Sequence, residues 1–151
     1  MDFDQSRIRA MTTDDVDLVL ALETQLQSHP WLRSHFDNCL AIGNLALVVE
    51  YQDCPVIAFA IVSIGGGEAE LLNIAVDPAF QGRGVARRFL LEIISHIKDQ
   101  AETIFLEVRP SNHQAIHLYE SIGFNQVGVR PNYYNSATGR EDALLYAMTL
   151  L

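Results

Sequence analysis

The residues best suited to chemistry begin with Gln81-Gly-Arg-Gly-Val-Ala86, a glycine-containing turn. It follows an apolar strand pattern (Leu71, Leu72, Ile74, Val76) and Asp77-Pro78, and it opens a helix expected from about Gly84 to Lys98. Backbone N–H groups at a helix start have no carbonyl partner within the helix, and the macrodipole makes that end positive. Gly82 and Gly84 carry no Cβ, so a bulky polyanion can approach the main chain and successive amides can converge on one phosphate. Arg83, Arg87 and Arg88 crowd the same turn although cations oppose the dipole there, which points to an anion. An ordinary turn with solvated arginines is the competing explanation. The loop is not a Walker loop, since no Gly-Lys-Ser/Thr follows, and it lacks the G-x-G-x-x-G spacing of a dinucleotide fold.

Two titratable residues stand further on. Glu107 lies in Phe105-Leu-Glu-Val108, near the carboxyl end of the strand expected after that helix, where open α/β sheets bind ligands. Alternation sets it on the face opposite Leu106. A solvent-facing strand carboxylate is the plain alternative. Tyr119 falls on an apolar helix face with Ile116 and Ile122, where a packed tyrosine with a satisfied hydroxyl is the ordinary outcome. Cys39 and Cys54 lie far apart without CxxC spacing and read as reduced, structural thiols. The five histidines and two cysteines show no ligand spacing, so no metal is expected.

The elements that must position these groups follow from periodicity. Arg7–Met11 reads as a short first strand at an edge. Thr12 or Thr13 caps a helix with Asp14, Asp15 and Asp17 in its first turn and Val16, Val19, Leu22 and Leu26 at helical spacing. Pro30 cannot continue it, and a second helix is expected over Leu32–Leu40. Trp31 and Phe36 pack in the core or form a wall of an acceptor groove. Leu45–Tyr51 and Val56–Ile64 are β-rich runs joined across Gln52-Asp-Cys-Pro55, and Ala69–Val76 returns after Gly65-Gly-Gly67, giving three antiparallel strands in a row. Ile104–Val108 pairs in parallel with the strand before the phosphate helix through a right-handed crossover. Pro110–Gln114 starts another helix, with Ser111 and Gln114 as a capping box and Gly123 as its C-terminal cap. Phe124–Val129 and Ala143–Leu150 close the chain as strands, joined by a long loop holding Asn132-Tyr-Tyr134 and Thr138-Gly-Arg-Glu-Asp142. The expected fold class is α/β, a single mixed and mostly antiparallel sheet of about six or seven strands flanked by about four helices.

Composition bounds the function. The 151 residues fit one domain, 1–151, able to bury roughly two thirds of its unfolded surface. No apolar run reaches the roughly 20 residues of a membrane span, and the acidic start Met1-Asp-Phe-Asp4 is unlike a basic signal peptide, so a cytoplasmic protein without membrane contact is expected. The net charge is −9, with nine arginines and Lys98 as the basic residues. That balance excludes direct nucleic-acid binding as the main function. An acidic body with one basic turn suits an anionic cofactor and a cationic partner, although solubility alone accounts for many of the carboxylates.

The loop Gln81-Gly-Arg-Gly-Val-Ala86, after a strand ending in Val76-Asp-Pro78, resembles the coenzyme A pyrophosphate loop of the GCN5-related N-acetyltransferase (GNAT) superfamily. The run from Leu106 to Phe124, with Asn132-Tyr-Tyr134, Gly139-Arg-Glu-Asp-Ala143 and the early His29-Pro-Trp31, resembles the bacterial ribosomal-protein alanine N-acetyltransferase (RimI) branch. The resemblance spans nearly the whole chain. The loop speaks for the superfamily, and the Asn-Tyr-Tyr and Gly-Arg-Glu-Asp-Ala pieces speak for the branch. One departure is Gly82, where the family often has a basic residue; it removes a possible phosphate contact and leaves the backbone cradle.

The resemblance implies the GNAT fold and acetyl-CoA as co-substrate, without a metal. It makes Glu107 the general base, Tyr119 the general acid and Asn112 a ligand of the pantetheine arm. Ile74, Ala75 and Val76 would pair their backbone with that arm, while Gly82, Arg83, Gly84, Val85, Ala86 and Arg87 would bind the pyrophosphate. On the acceptor side it implies Trp31, Tyr133, Tyr134, Glu141 and Asp142, the carboxylates holding a cationic peptide start; equally, the tyrosines pack on the sheet and the acidic pair lies in solvent. The implied partner is a protein N-terminus, that of a small-subunit ribosomal protein.

Elementary acid–base chemistry agrees with such a reaction. An α-amine has a pKa about 2.5 units below that of a lysine side chain, so its deprotonation is easier by roughly 3.4 kcal/mol. One carboxylate, acting directly or through a water, is adequate for it. A backbone N–H near Val76 could stabilise the oxyanion, and a thiol of pKa about 8.5 is already a fair leaving group. Acetylation of lysines or small amines, and acyl-CoA binding without turnover, are the competing functions.

Overall fold

Runs of branched and aromatic residues form the strands of the protein, whose computed structural model describes residues 2–137 and 139–150. Among the described residues there are seven strands: β1 Ser6–Ala10, β2 Leu45–Tyr51, β3 Cys54–Gly65, β4 Glu68–Val76, β5 Thr103–Val108, β6 Asn125–Ser136 and β7 Gly139–Thr149. Four α-helices accompany them: α1 Val16–Leu26, α2 Arg33–Ala41, α3 Val85–Ile97 and α4 His113–Ile122. The strands form one sheet in the order β1-β2-β3-β4-β5-β7-β6, with β1 at an edge as its position in the sequence predicts. β4 and β5 run parallel, while β1–β2, β2–β3, β5–β7 and β6–β7 are antiparallel. The expected mixed, mostly antiparallel α/β sheet is therefore observed.

The chain divides into two compact units. The first comprises residues up to Ser63 with Leu72–Glu92. Its core joins Val16, Val19 and Leu22 of α1 with Phe36 of α2 and Val48, Phe59 and Ile61 of the sheet. Phe36 meets Phe59 edge to face at 5.6 Å, which settles Phe36 as a core residue, and the partly buried Trp31 packs on the same cluster with its ring 5.2 Å from Phe36. The start of α1 departs from expectation: a 3-10 turn over Thr13–Asp15 precedes it. The cause is Asp15, whose buried carboxylate accepts from the Thr12 N–H at 2.8 Å and both ends of the Arg9 guanidinium at 2.8 Å. The Arg9 bonds hold the Asp15 carboxyl below its usual range.

The second unit comprises Ile64–Leu71 and the chain from Ile93 onward. β5 is its central strand, paired from Glu68↔Thr103 to Leu71↔Leu106 on one side and from Thr103↔Thr149 to Val108↔Leu144 on the other. Its alternate residues Ile104, Leu106 and Val108 are buried, so Phe105 and Glu107 share the opposite face.

Two expectations fail here. The segment expected as a long loop between the last strands is a β-ribbon: β6 and β7 extend to Ser136↔Gly139, with a register irregularity between Arg130 and Tyr134. Pro131 lacks the N–H a ladder needs, Asn132 takes a φ of +53°, and the Asn132 N–H donates to the Asp142 carboxylate at 3.0 Å, so a bulge replaces the expected loop. Thr138 lies outside the described residues. The second failure concerns α4, which is capped by Asn112 and not by Ser111: Asn112 Oδ1 accepts from the Ala115 N–H at 3.2 Å, and the Ser111 hydroxyl donates instead to Glu141 at 3.0 Å.

Candidate active site

In the first unit, the turn after β4 is tightly specified. The Asp77 N–H donates to Ile57 O at 2.8 Å, and the Asp77 carboxylate caps a 3-10 turn over Pro78–Phe80 by accepting from the Ala79 N–H at 2.9 Å. Gln81 Nε2 then donates to Val76 O at 2.9 Å, folding the loop back on the strand end. Gly82 and Gly84 take left-handed φ values of +75° and +77°. A Cβ at either would meet nothing within 4 Å, so no side chain fills the space before the loop and a polyanion has room there. The first bond of the α3 ladder runs from the Arg88 N–H to Gly84 O at 3.0 Å, so the amides of Val85, Ala86 and Arg87 precede it and face out of the helix end. The loop thus fits a phosphate-bearing ligand.

The arginines of this turn divide. Arg83 stands 5.8 Å from the centre of the Phe80 ring, and Arg87 sits in the first turn of α3. Arg88, one of those whose crowding pointed to an anion, is instead turned towards carboxylates of the protein, Asp4 at 3.2 Å and Glu92 at 3.4 Å, with its guanidinium 5.3 Å from the Phe3 ring centre. Beyond the stretch paired with β5, β4 continues through Ile74, Ala75 and Val76. Beside them lies a residue that sequence reasoning missed. Glu23 is buried, accepting from the Trp31 N–H at 2.8 Å and from Asn73 Nδ2 at 3.1 Å, and so ties the α1–α2 connection to β4. The available signal was its place on the inward stripe, one turn beyond Val19.

In the second unit, Glu107 is neither solvated nor bare. Its side chain is 16% exposed, and its Oε1 lies 3.1 Å from Arg130 Nη2. Glu70, opposite Phe105 in the parallel register, shares the face with Glu107. Burial and the negative charge of Glu107 push the Glu70 carboxyl up, against the pull of Arg130. Tyr134 is pushed up to about 12 by burial and by Glu107. Tyr119 is buried, with its ring 5.8 Å from Phe124, and burial, assisted by Tyr134, pushes its phenol up to about 12. It therefore stays protonated at neutral pH. Asn112 has its carbonyl oxygen committed to the helix cap, so the NH₂ group is what its side chain can offer a ligand.

The expected acceptor residues take two kinds of position. Tyr133 is 45% exposed, and its ring lies 5.0 Å from that of Tyr134. Arg109 sits 4.3 Å from the Tyr134 ring centre and donates to Asn135 O at 2.7 Å and to Glu141 Oε1 at 3.3 Å. Glu141 also accepts from the Ser111 N–H and hydroxyl, which with Arg109 hold its carboxyl below the usual range. Glu141 and Asp142 thus shape the β6–β7 ribbon that presents the two tyrosines.

Fold and loop together define an acetyltransferase: the chain belongs to the Acetyltransferase (GNAT) family, whose model matches residues 14–124. It is similar along nearly its full length to the [ribosomal protein bS18]-alanine N-acetyltransferase of Salmonella typhimurium, with 39% identity over 144 residues that cover 95% of this chain and 97% of that protein. The enzyme of that name from Escherichia coli K12 is 37% identical over the same shares. The crystal structure of the ribosomal-protein-S18-alanine N-acetyltransferase from Escherichia coli matches with a TM-score of 0.89 and 36% identity, covering 96% of this chain and 94% of that one. Ard1 from Thermoplasma volcanium, at 23% identity and a TM-score of 0.87, shares the fold.

Proposed function

We propose that this chain transfers the acetyl group of acetyl-CoA to the α-amine of an N-terminal alanine on a ribosomal protein, and that residues 1–151 act as one N-acetyltransferase domain in the cytoplasm. The observation that carries this reading is the similarity, over 95% of the chain, to enzymes named for that reaction. Acetyl-CoA supplies an activated thioester carbonyl. The amides of Gly82 to Arg87 and the Arg83 and Arg87 side chains hold its pyrophosphate, and the Ile74–Val76 backbone and the Asn112 NH₂ group hold its pantetheine arm. Glu107, directly or through a water, removes the proton of the attacking amine as the N–C bond forms and the C–S bond breaks. A main-chain N–H near Val76 donates to the carbonyl oxygen as charge gathers there.

Tyr119 faces the leaving sulfur in this reading. Full proton transfer from a phenol near 12 to a free thiolate near 8.5 is uphill by about 3.5 units, roughly 5 kcal/mol. Tyr119 therefore acts first by hydrogen-bonding the sulfur, its proton moving only as negative charge develops. Trp31, Tyr133 and Tyr134 contact the acceptor peptide, and Glu141 and Asp142 set the ribbon that carries the tyrosines. Mass spectrometry of acetyl transfer to peptides starting with Ala, Ser, Gly or Met, each with an internal lysine, tests the reading. Acetate on the α-amine, strongest for Ala, is expected; acetate on lysine alone overturns it.

A further inference from the structure

We infer that Arg130 is a positioning residue that stands in for the acceptor's ammonium group beside Glu107, and that Glu70 is a second carboxylate of the acceptor site. This rests on the proposed role of Glu107 as base. Glu107 and Glu70 project from the same face of two parallel-paired strands, Glu70 opposite Phe105 and Glu107 two residues beyond it. Two half-buried carboxylates on one face repel each other, and Arg130 supplies the compensating charge, with Nη2 3.1 Å from Glu107. Glu70 senses that arrangement: burial and then the charge of Glu107 push it up, and Arg130 pulls it down.

The two arginines of this region differ in how firmly they are held. Arg109 is anchored by Glu141, by Asn135 O and by the Tyr134 ring, and its side chain is 25% exposed. Arg130 is 54% exposed; besides Glu107, it has the Tyr133 ring 4.9 Å from its guanidinium. An ion pair with one such open partner is weak, so an incoming cation can displace it. A protonated α-amine matches the vacated charge. On its arrival Arg130 swings towards solvent, Glu70 keeps the site negative, and Glu107 takes the proton of the amine. The charged and titratable groups facing Glu107 are then Glu70 from β4 and Arg130 and Tyr134 from β6, with Tyr133 against Arg130.

The test measures pH profiles of kcat/KM, and equilibrium binding of an Ala-starting peptide in the presence of coenzyme A, for the wild type, Glu70→Gln, Arg130→Met, Arg130→Lys and Glu107→Gln. Arg130→Met is expected to move the acid limb of kcat/KM to higher pH, because the base loses its neighbouring cation, and to tighten peptide binding. Glu70→Gln is expected to lower the acid limb and to weaken peptide binding about three- to tenfold. Arg130→Lys should restore the wild-type limb. Wild-type limbs and wild-type peptide binding in both Glu70→Gln and Arg130→Met overturn the inference. Full turnover in Glu107→Gln removes the base role, while the two binding shifts still decide the acceptor-site roles of Glu70 and Arg130.

Discussion

Ser111 and Glu141 are joined twice: the Ser111 N–H and hydroxyl both donate to the Glu141 carboxylate, at 3.2 and 3.0 Å. This link ties the approach to α4 to the β6–β7 ribbon, and Arg109 completes it. The Glu141 carboxyl is held low, so its contribution to stability is present above its unfolded pKa and is lost as pH falls through its folded value. Glu141→Ala should speed hydrogen exchange of the ribbon amides at neutral pH, and the difference from the wild type should shrink as pH is lowered. A ribbon exchanging at wild-type rates in the variant would show that the link does not order it.

Glu107→Gln should lower turnover about 10²- to 10⁴-fold while leaving acetyl-CoA binding within about a factor of two, since the amide cannot accept a proton yet keeps the shape of the carboxylate. Stopped-flow thiol release together with calorimetric titration of acetyl-CoA separates the two. Loss of cofactor binding in proportion to turnover would instead make Glu107 a binding or folding residue.

Tyr119→Phe should slow turnover and also change the alkaline behaviour of the fold. The unfolded phenol ionises near 10 and the folded one near 12, so between these values the unfolded state loses protons first and stability falls with rising pH. That decline should be shallower in Tyr119→Phe by up to about 1.4 kcal/mol per pH unit. Urea unfolding at stepped alkaline pH measures it, and parallel curves for the two proteins would rule out the buried, neutral phenol.

Gly84→Ala should cost about 1 kcal/mol of stability from its left-handed backbone and, in addition, weaken acetyl-CoA binding about tenfold or more, because the new methyl enters the open space before the loop. Gly66, with a φ of +62° and equally open surroundings, is the control. Gly66→Ala should show the backbone cost alone in thermal melts. Equal cofactor affinity in both variants would argue against a phosphate at this loop.

Glu23→Ala should destabilise the protein by about 1–3 kcal/mol, since the Trp31 N–H and the Asn73 amide both lose a buried acceptor. Glu23→Gln keeps one acceptor oxygen and should recover part of the loss. Denaturant midpoints at constant m-value test this, and a neutral Glu23→Ala would mean that water replaces the carboxylate.

Features that depend on neighbours in the chain were determined by the sequence itself. The Gly82–Gly84 turn, the amphipathic helix behind it and the alternation that turns Glu107 away from the core all follow from local backbone sterics and the helix and strand periods. These same local features carried the likeness to the acetyltransferase family. What only the tertiary structure decided are pairings between distant positions. Arg88 and Asp4 stand 84 positions apart, and Ser111 and Glu141 stand 30 apart. Ser111 reads as a cap from its neighbours alone, and Arg88 as one of the crowded cations that point to an anion, because an exposed side chain's partner is set by whichever charge the fold brings near. The ribbon from Asn132 to Asp142 reads as a loop because its bulge is held by a hydrogen bond across strands, and Glu107 gains Arg130 and Glu70 only when β4, β5 and β6 align in one sheet.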